Sequence, residues 1–282
     1  MTKLELGPVG VAVGPGEGDV FLDAVAELAE LGYSTIWLSG GSLKRLEQIG
    51  DVVRATRAIR IASGIISVDR FDHEAVAATY AELDATHPGR FIVGLGGAHG
   101  AKPLRTLAGY LDALDTVAPT VPAGARVLAA LGPRMLQLAR DRAAGAYPFL
   151  VTPDYTAEAR SLLGDGAALV VGQFVVLDQD PGRARELARG PLRFLTRGGG
   201  YLANIRRMGF AEDEIAQLPD RLVDALVAWG DLDAVATRIS EHLRAGADQV
   251  ALSVISAGPP GSLPVQQWRE LAKAHGSSPR VG

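Results

Sequence analysis

Short apolar runs alternate with amphipathic stretches along almost the whole chain. Val9 to Val13 is apolar and bounded by Gly14-Pro15-Gly16, which predicts a buried strand. Phe21, Ala24, Val25, Leu28 and Leu31 then recur at helical spacing, with Asp19 as the expected cap and Gly32 as the stop. The same pair of signals repeats. Strands are predicted at Thr35 to Leu38, Arg60 to Ile66, the run that follows Gly89, Arg126 to Leu131, Tyr147 to Val151, Leu169 to Leu177 and Gln249 to Ile255. Helices are predicted at Leu43 to Ala58, His73 to Thr86, Leu104 to Val117, Met135 to Ala144 and Tyr155 to Leu163, with a last long one capped by Asp231 and ended by Gly246. From Pro181 to Gly230 the pattern is wholly helical and longer than one crossover helix, so this segment reads as an insertion before the last strand.

Strands that are apolar throughout belong in a parallel sheet covered on both faces, and parallel neighbours need helical crossovers. About eight such units fit the (β/α)8 TIM barrel, an α/β fold that one domain of 282 residues can supply. An open doubly wound sheet is the alternative. Its dinucleotide fingerprint is not met at Gly94-Leu95-Gly96, because His99 stands at the third glycine position and the stretch lies in the fourth unit.

The stretch from Leu83 to Gly100 concentrates the chemistry. A helix ends at His87-Pro88-Gly89, an apolar strand follows, and the strand dissolves into Gly94, Gly96, Gly97, His99 and Gly100. Ser39-Gly40-Gly41-Ser42 has the same character after the second strand. Gly132-Pro133-Arg134 puts a proline just inside a helix start with a cation beside it, which suits a phosphate; a plain tight turn with a surface arginine is the alternative. Asp69, Asp72, His73 and Glu74 have the chemistry of metal ligands, but Asp72 reads better as the cap of the helix starting at His73, and no metal is expected. Arg197, Asn204, Arg206 and Arg207 in the insertion face either the site or solvent.

Composition narrows the function further. The net charge of -4, without a lysine or arginine block, argues against a nucleic-acid partner. The absence of cysteine removes disulfides, thiolate metal sites and a cysteine nucleophile. No apolar run reaches membrane-spanning length and no leader pattern opens the chain, so a cytoplasmic protein is expected.

Gly32-Tyr33-Ser34-Thr35-Ile36-Trp37, Arg60-Ile61-Ala62-Ser63-Gly64-Ile65, Gly89-Arg90-Phe91-Ile92-Val93-Gly94-Leu95-Gly96, Ala130-Leu131-Gly132-Pro133-Arg134-Met135-Leu136 and Ala245-Gly246-Ala247-Asp248 together resemble the luciferase-like barrel flavoenzymes. The brevity of the chain and the Gly-Pro-Arg-Met-Leu phrase resemble the branch that uses the deazaflavin coenzyme F420; FMN-dependent monooxygenases are the alternative. The resemblance implies a ring at the C-terminal mouth of the barrel, against a bulge after strand three with a non-proline cis peptide, here Gly64-Ile65. It also implies a close approach to the ring at Gly97 and Ala98 and a tail phosphate at Gly132, Pro133 and Arg134, with Ser39 at the end of strand two. Several relatives carry an Asp-His pair after strand two and a glutamate after strand four, where this chain has Ser39-Gly40 and the neighbourhood of His99. His99 is therefore the candidate proton donor. The expected activity is hydride transfer between the coenzyme and a small organic molecule, in a homodimer; a cofactor-binding protein without catalysis is the other class.

Overall fold

Runs of valine and isoleucine that are apolar on both sides need cover on both, and a closed barrel supplies it. The computed structural model describes residues 3–259 and 261–276. Its elements are β1 (Val9–Val13), α1 (Asp19–Glu30), β2 (Thr35–Ser39), α2 (Glu47–Ala55), β3 (Arg60–Gly64), β4 (Ile66–Ser67), α3 (His73–Thr86), β5 (Phe91–Gly96), α4 (Pro103–Thr116), β6 (Arg126–Leu128) and α5 (Pro133–Arg142). There follow β7 (Gly145–Ala146), α6 (Pro153–Leu163), β8 (Ala168–Val176), α7 (Pro181–Leu195), α8 (Gly199–Arg207), α9 (Glu212–Gln217), α10 (Asp220–Leu226), β9 (Val227–Trp229), α11 (Leu232–Arg244), β10 (Gln249–Val254) and α12 (Val265–Gly276).

All pairings are parallel, and β10 closes the ring by pairing with β1 (Val9 opposite Val250) and with β8 (Gln249 opposite Val170). Strand three is split into β3 and β4 at Ile65, which makes eight positions around the barrel, while β9 adds to the end of β8. A large apolar core lies between the strands and the surrounding helices, with Ile36, Leu38, Val93 and Val171 among its members. A second core holds the insertion together through Leu192, Ile205, Leu222 and Val223. The third fills the barrel axis with Trp37, Ala62, Ile92, Val127, Tyr147, Val170 and Ala251. Trp37 donates its indole N–H to Gln249 Oε1 at 2.8 Å, and Gln249 Nε2 donates to the Gly7 carbonyl, so the N-terminal end of the barrel is plugged and hydrogen-bonded.

The predicted alternation is found, with local differences. Gly18, not Asp19, occupies the cap of α1, and no side chain caps that end. Helix α2 begins only at Glu47, because Gln48 turns back to accept from the Lys44 and Arg45 amides and holds residues 43–46 outside the helix. The sixth strand is Gly145–Ala146, earlier than expected: a fixed proline φ at Pro148 ends regular pairing, and only Phe149 makes a further bridge, to Gly172. The insertion is not wholly helical, since Val227–Trp229 pairs with Phe174–Val176. No helix among the described residues is long and apolar enough to cross a membrane.

One buried polar cluster ties the insertion side to the barrel wall. His242 on α11 is fully buried, with Nε2 against Gln173 Oε1 at 2.9 Å and Nδ1 against Thr156 Oγ1 at 2.8 Å. Gln173 Nε2 is committed as a donor to the Phe174 and Leu226 carbonyls, so its oxygen accepts from a neutral imidazole. Burial, helped by the nearby Arg238 cation, lowers the His242 pKa to about 3. The unfolded chain therefore binds one more proton than the folded one between pH 6.5 and 3, and stability falls as pH falls through that window. This residue should contribute a slope that is about 0.7 kcal/mol per pH unit at pH 6.5 and approaches about 1.4 kcal/mol per pH unit near pH 5. His242→Gln should flatten that part of a urea-derived stability profile. An unchanged slope would mean that other groups set it.

Candidate active site

At the mouth of the barrel, Gly64, Gly94 and Gly96 stand near the ends of β3 and β5. Its floor is the Trp37–Tyr147 stack, with ring centroids 4.4 Å apart and planes within 18°. A Cβ on Gly64 would stand 3.1 Å from Tyr147 Cε1 and 3.6 Å from the Trp37 ring, so the floor lies directly under the end of β3. Above it the chain turns through a cis peptide at Gly64-Ile65.

Two neighbours make room for that turn. A side chain on Gly40 would run into the Ile65 carbonyl oxygen, and one on Gly94 into the Ser63 carbonyl oxygen. Ser63 Oγ accepts from the Gly94 amide at 2.8 Å and donates to the Gly94 carbonyl at 2.9 Å, fastening β3 to β5. Ser39 pairs with Gly64, Ser67 with Gly96, and the Ala129 amide donates to the Leu95 carbonyl, so the ends of β2, β3, β5 and β6 open on one face. Ser39, Gly64, Ile65, Gly97 and Ala98 therefore converge, as strand-end residues do in barrels of this kind. Gly97 holds a left-handed φ of 71° beside Ser67.

The loop after β6 forms a second feature at the same end. Gly132 is the cap residue of α5 and Pro133 its first residue; Pro133 has no N–H and Met135 donates to the Gly132 carbonyl, so Arg134 carries the remaining first-turn amide at the positive end of the helix. Arg134 is exposed and has no ion pair among the described residues. Across from it stands Arg207 at the end of α8: its Nη2 would lie 3.4 Å from a Cβ on Gly132. Arg207 also donates to Asn204 Oδ1 at 2.8 Å, and Asn204 is buried with its Nδ2 unpartnered. Tyr155 fixes the loop by donating to the Leu131 carbonyl at 2.7 Å. The Arg207 cation thus stands beside the N-terminal end of α5. Of the four insertion residues with two readings, Asn204 and Arg207 are the pair beside the barrel loop, whereas Arg206 pairs with Glu212 away from it.

His99 lies farther out. Its side chain is 76% exposed, and Asp69 Oδ2 accepts from its backbone amide at 2.8 Å and sits 3.1 Å from its Nδ1. Asp72 caps α3 by accepting from Ala75, and His73 meets the edge of Tyr110 at 6.1 Å. These acidic and imidazole side chains thus have separate partners, and no group of three or more among the described residues suits a metal.

No family model matches this chain, and no curated protein does. Solved structures do. An F420-dependent secondary alcohol dehydrogenase, in complex with an F420-acetone adduct, superposes with a TM-score of 0.71 at 14% identity, covering 96% of this chain and 98% of that one. The coenzyme F420 dependent tetrahydromethanopterin reductase of Methanopyrus kandleri gives 0.68 at 18% identity over 95% and 97%. The oxygenating constituent of 3,6-diketocamphane monooxygenase from Pseudomonas putida, in complex with FMN, gives 0.65 at 13% identity over 95% and 98%. The chain has the same (β/α)8 barrel fold as these enzymes.

In this barrel the tight contact of β3 with β5 should be intolerant of a single methyl group. Gly94→Ala forces Ser63 or its carbonyl to move, and such overpacking typically costs about 1–3 kcal/mol. Urea unfolding of the variant should show a midpoint lowered accordingly; an unshifted midpoint would mean that the strands separate freely here.

Proposed function

We propose that the protein is an oxidoreductase that binds the deazaflavin coenzyme F420 at the barrel mouth and moves a hydride between its C5 and a small organic substrate. The observation that carries this reading is the pairing of a flat, side-chain-poor cradle with a cationic end, both on one face. Gly64, Ile65, Gly97 and Ala98 would hold the ring, and Ser39 would stand beside it. Gly132, Pro133 and Arg134, with Arg207 beside them, would hold the tail phosphate. When bound, the coenzyme supplies the hydride. The chain's own work is to bind it, fix which face meets the substrate and keep water from that face.

FMN is the second reading, because barrels of the same fold include one solved with FMN. The absorption spectrum and mass of the cofactor that co-purifies decide between them, and oxygen consumption with FMN loaded would mark a monooxygenase.

Two measurements test the residues. A charge-assisted contact contributes about 1.5–3 kcal/mol, so Arg134→Ala and Arg207→Ala should each weaken coenzyme binding about ten- to a hundredfold, read by fluorescence quenching. Unchanged affinity in both would return the arginines to solvent. For His99 the expected role is protonation where charge accumulates after hydride transfer. His99→Ala should then lower turnover by about a hundredfold and leave coenzyme affinity nearly intact. Undiminished turnover would assign the proton to another group.

A further inference from the structure

Two arginines follow one another at the end of α8 and are held in different ways. Arg206 pairs with the Glu212 carboxylate at 3.2 Å. Arg207 makes no ion pair among the described residues; its Nη2 donates instead to the amide oxygen of Asn204, one turn back on the same helix, at 2.8 Å. Asn204 is 1% exposed, and this is the one hydrogen bond its side chain makes among the described residues, because its Nδ2 has no acceptor. A buried donor without an acceptor is destabilising, and asparagine is a poorer helix former than alanine. Of the two polar groups of the amide, one engages Arg207 and the other is left unsatisfied, so a role in stability does not account for the residue.

The held guanidinium lies against the loop after β6. Its Nη2, Nη1 and Cζ would stand 3.4, 3.6 and 3.7 Å from a Cβ on Gly132, so the whole group faces that residue. The end of α8 is seated there by its neighbours. Thr152 Oγ1 donates to Met208 Sδ at 3.8 Å, and Met208 packs against both the barrel core and the insertion core.

The chemistry of the anchor matters. A carboxylate at position 204 would hold the guanidinium equally well but would cancel its charge, as Glu212 does for Arg206. A neutral amide oxygen fixes the direction of the group and leaves its positive charge for a third party. A long side chain already held in place also loses less rotamer freedom when a ligand arrives.

We infer that Asn204 is a positioning residue that holds Arg207 over Gly132 with its charge uncompensated, so that the guanidinium receives a phosphate oxygen at the start of α5. This rests on the coenzyme-binding reading above, in which the tail phosphate lies at that point. Asn204 acts through Arg207 rather than on the ligand. The insertion thereby favours a phosphate-bearing coenzyme over the same chromophore without its phosphate.

The test compares wild type with Asn204→Ala, Asn204→Asp, Arg207→Ala and the double variant Asn204→Ala/Arg207→Ala. Thermal melts check folding, and Asn204→Ala should melt no lower than wild type, since it removes an unsatisfied donor. In the first arm, inorganic phosphate is titrated into protein without coenzyme and followed by phosphorus NMR line broadening. Asn204→Ala should bind it about three- to tenfold more weakly, and Asn204→Asp, which keeps the hydrogen bond and adds a negative charge, about tenfold more weakly. In the Arg207→Ala background, Asn204→Ala should cause no further loss, because residues that act as a unit are not additive. A merely structural residue would lower the melt and weaken both backgrounds alike. In the second arm, the deazaflavin coenzyme and its chromophore lacking the phosphate tail are titrated by fluorescence quenching. Both Asn204 variants should weaken only the phosphate-bearing form. Wild type without affinity for phosphate, wild-type phosphate affinity in either Asn204 variant, or an undiminished effect of Asn204→Ala when Arg207 is absent overturns the proposal. Failure of wild type to bind any deazaflavin or flavin overturns the coenzyme reading instead, and the phosphate arm still decides this one.

Discussion

The barrel mouth depends on backbone meeting backbone where side chains would ordinarily stand. The Ile65 carbonyl lies in the space of a Gly40 side chain, and the Ser63 carbonyl in that of Gly94. The Ser63 hydroxyl serves both polar groups of Gly94 and converts the close approach into two hydrogen bonds. Three consecutive strands are locked at their C-terminal ends by this arrangement. It fixes the turn through Gly64-Ile65 above Trp37 and Tyr147. A flat ligand can lie against main chain more closely than against any rotamer-bearing surface, so the same constraint that orders the strands also prepares the site.

Much of this was legible in the chain because it is local. The helix from His73 to Thr86 has a capping aspartate and a Pro-Gly stop, and it is found with those ends. Buried parallel strands announce themselves as unbroken apolar runs, and seven of the eight stand close to where those runs lie. The eighth, at Gly145–Ala146, has no β-branched residue, and only its neighbours β6 and β8 make it a strand. Val227–Trp229 was hidden for the same reason: it continues a helical pattern until pairing with Phe174–Val176 overrides it. The glycines were visible as loops, but what they accommodate was not, since the carbonyls at Gly40 and Gly94 arrive from other strands.

The insertion is where sequence reading stops. Its arginines and Asn204 sit in a helix whose face cannot be ranked by periodicity, because the second apolar core competes with the barrel for the same side chains. The fold settles it: Ile205 points into the insertion core, while Asn204 and Arg207 come to the loop after β6. Tyr201 in turn was unremarkable after three glycines, and Tyr147 followed a strand too short to be recognised. One helical segment thus brings Arg207 beside the start of α5 and Tyr201 against Phe149.

Electrostatics separates the two kinds of proton-bearing group at this face. His99 and Asp69 are largely in water, where screening makes an ion pair weak and proton exchange with solvent easy. Tyr147 and Tyr201 lie where solvation is poor, and burial holds them neutral far above neutral pH. A hydrogen bond donated in such surroundings is stronger than the same bond in water, whereas an unpaired charge there would be costly. A charged acid–base pair at the barrel axis would have to be desolvated and then compensated, and the main-chain walls around Gly64 and Gly94 offer no counter-ion.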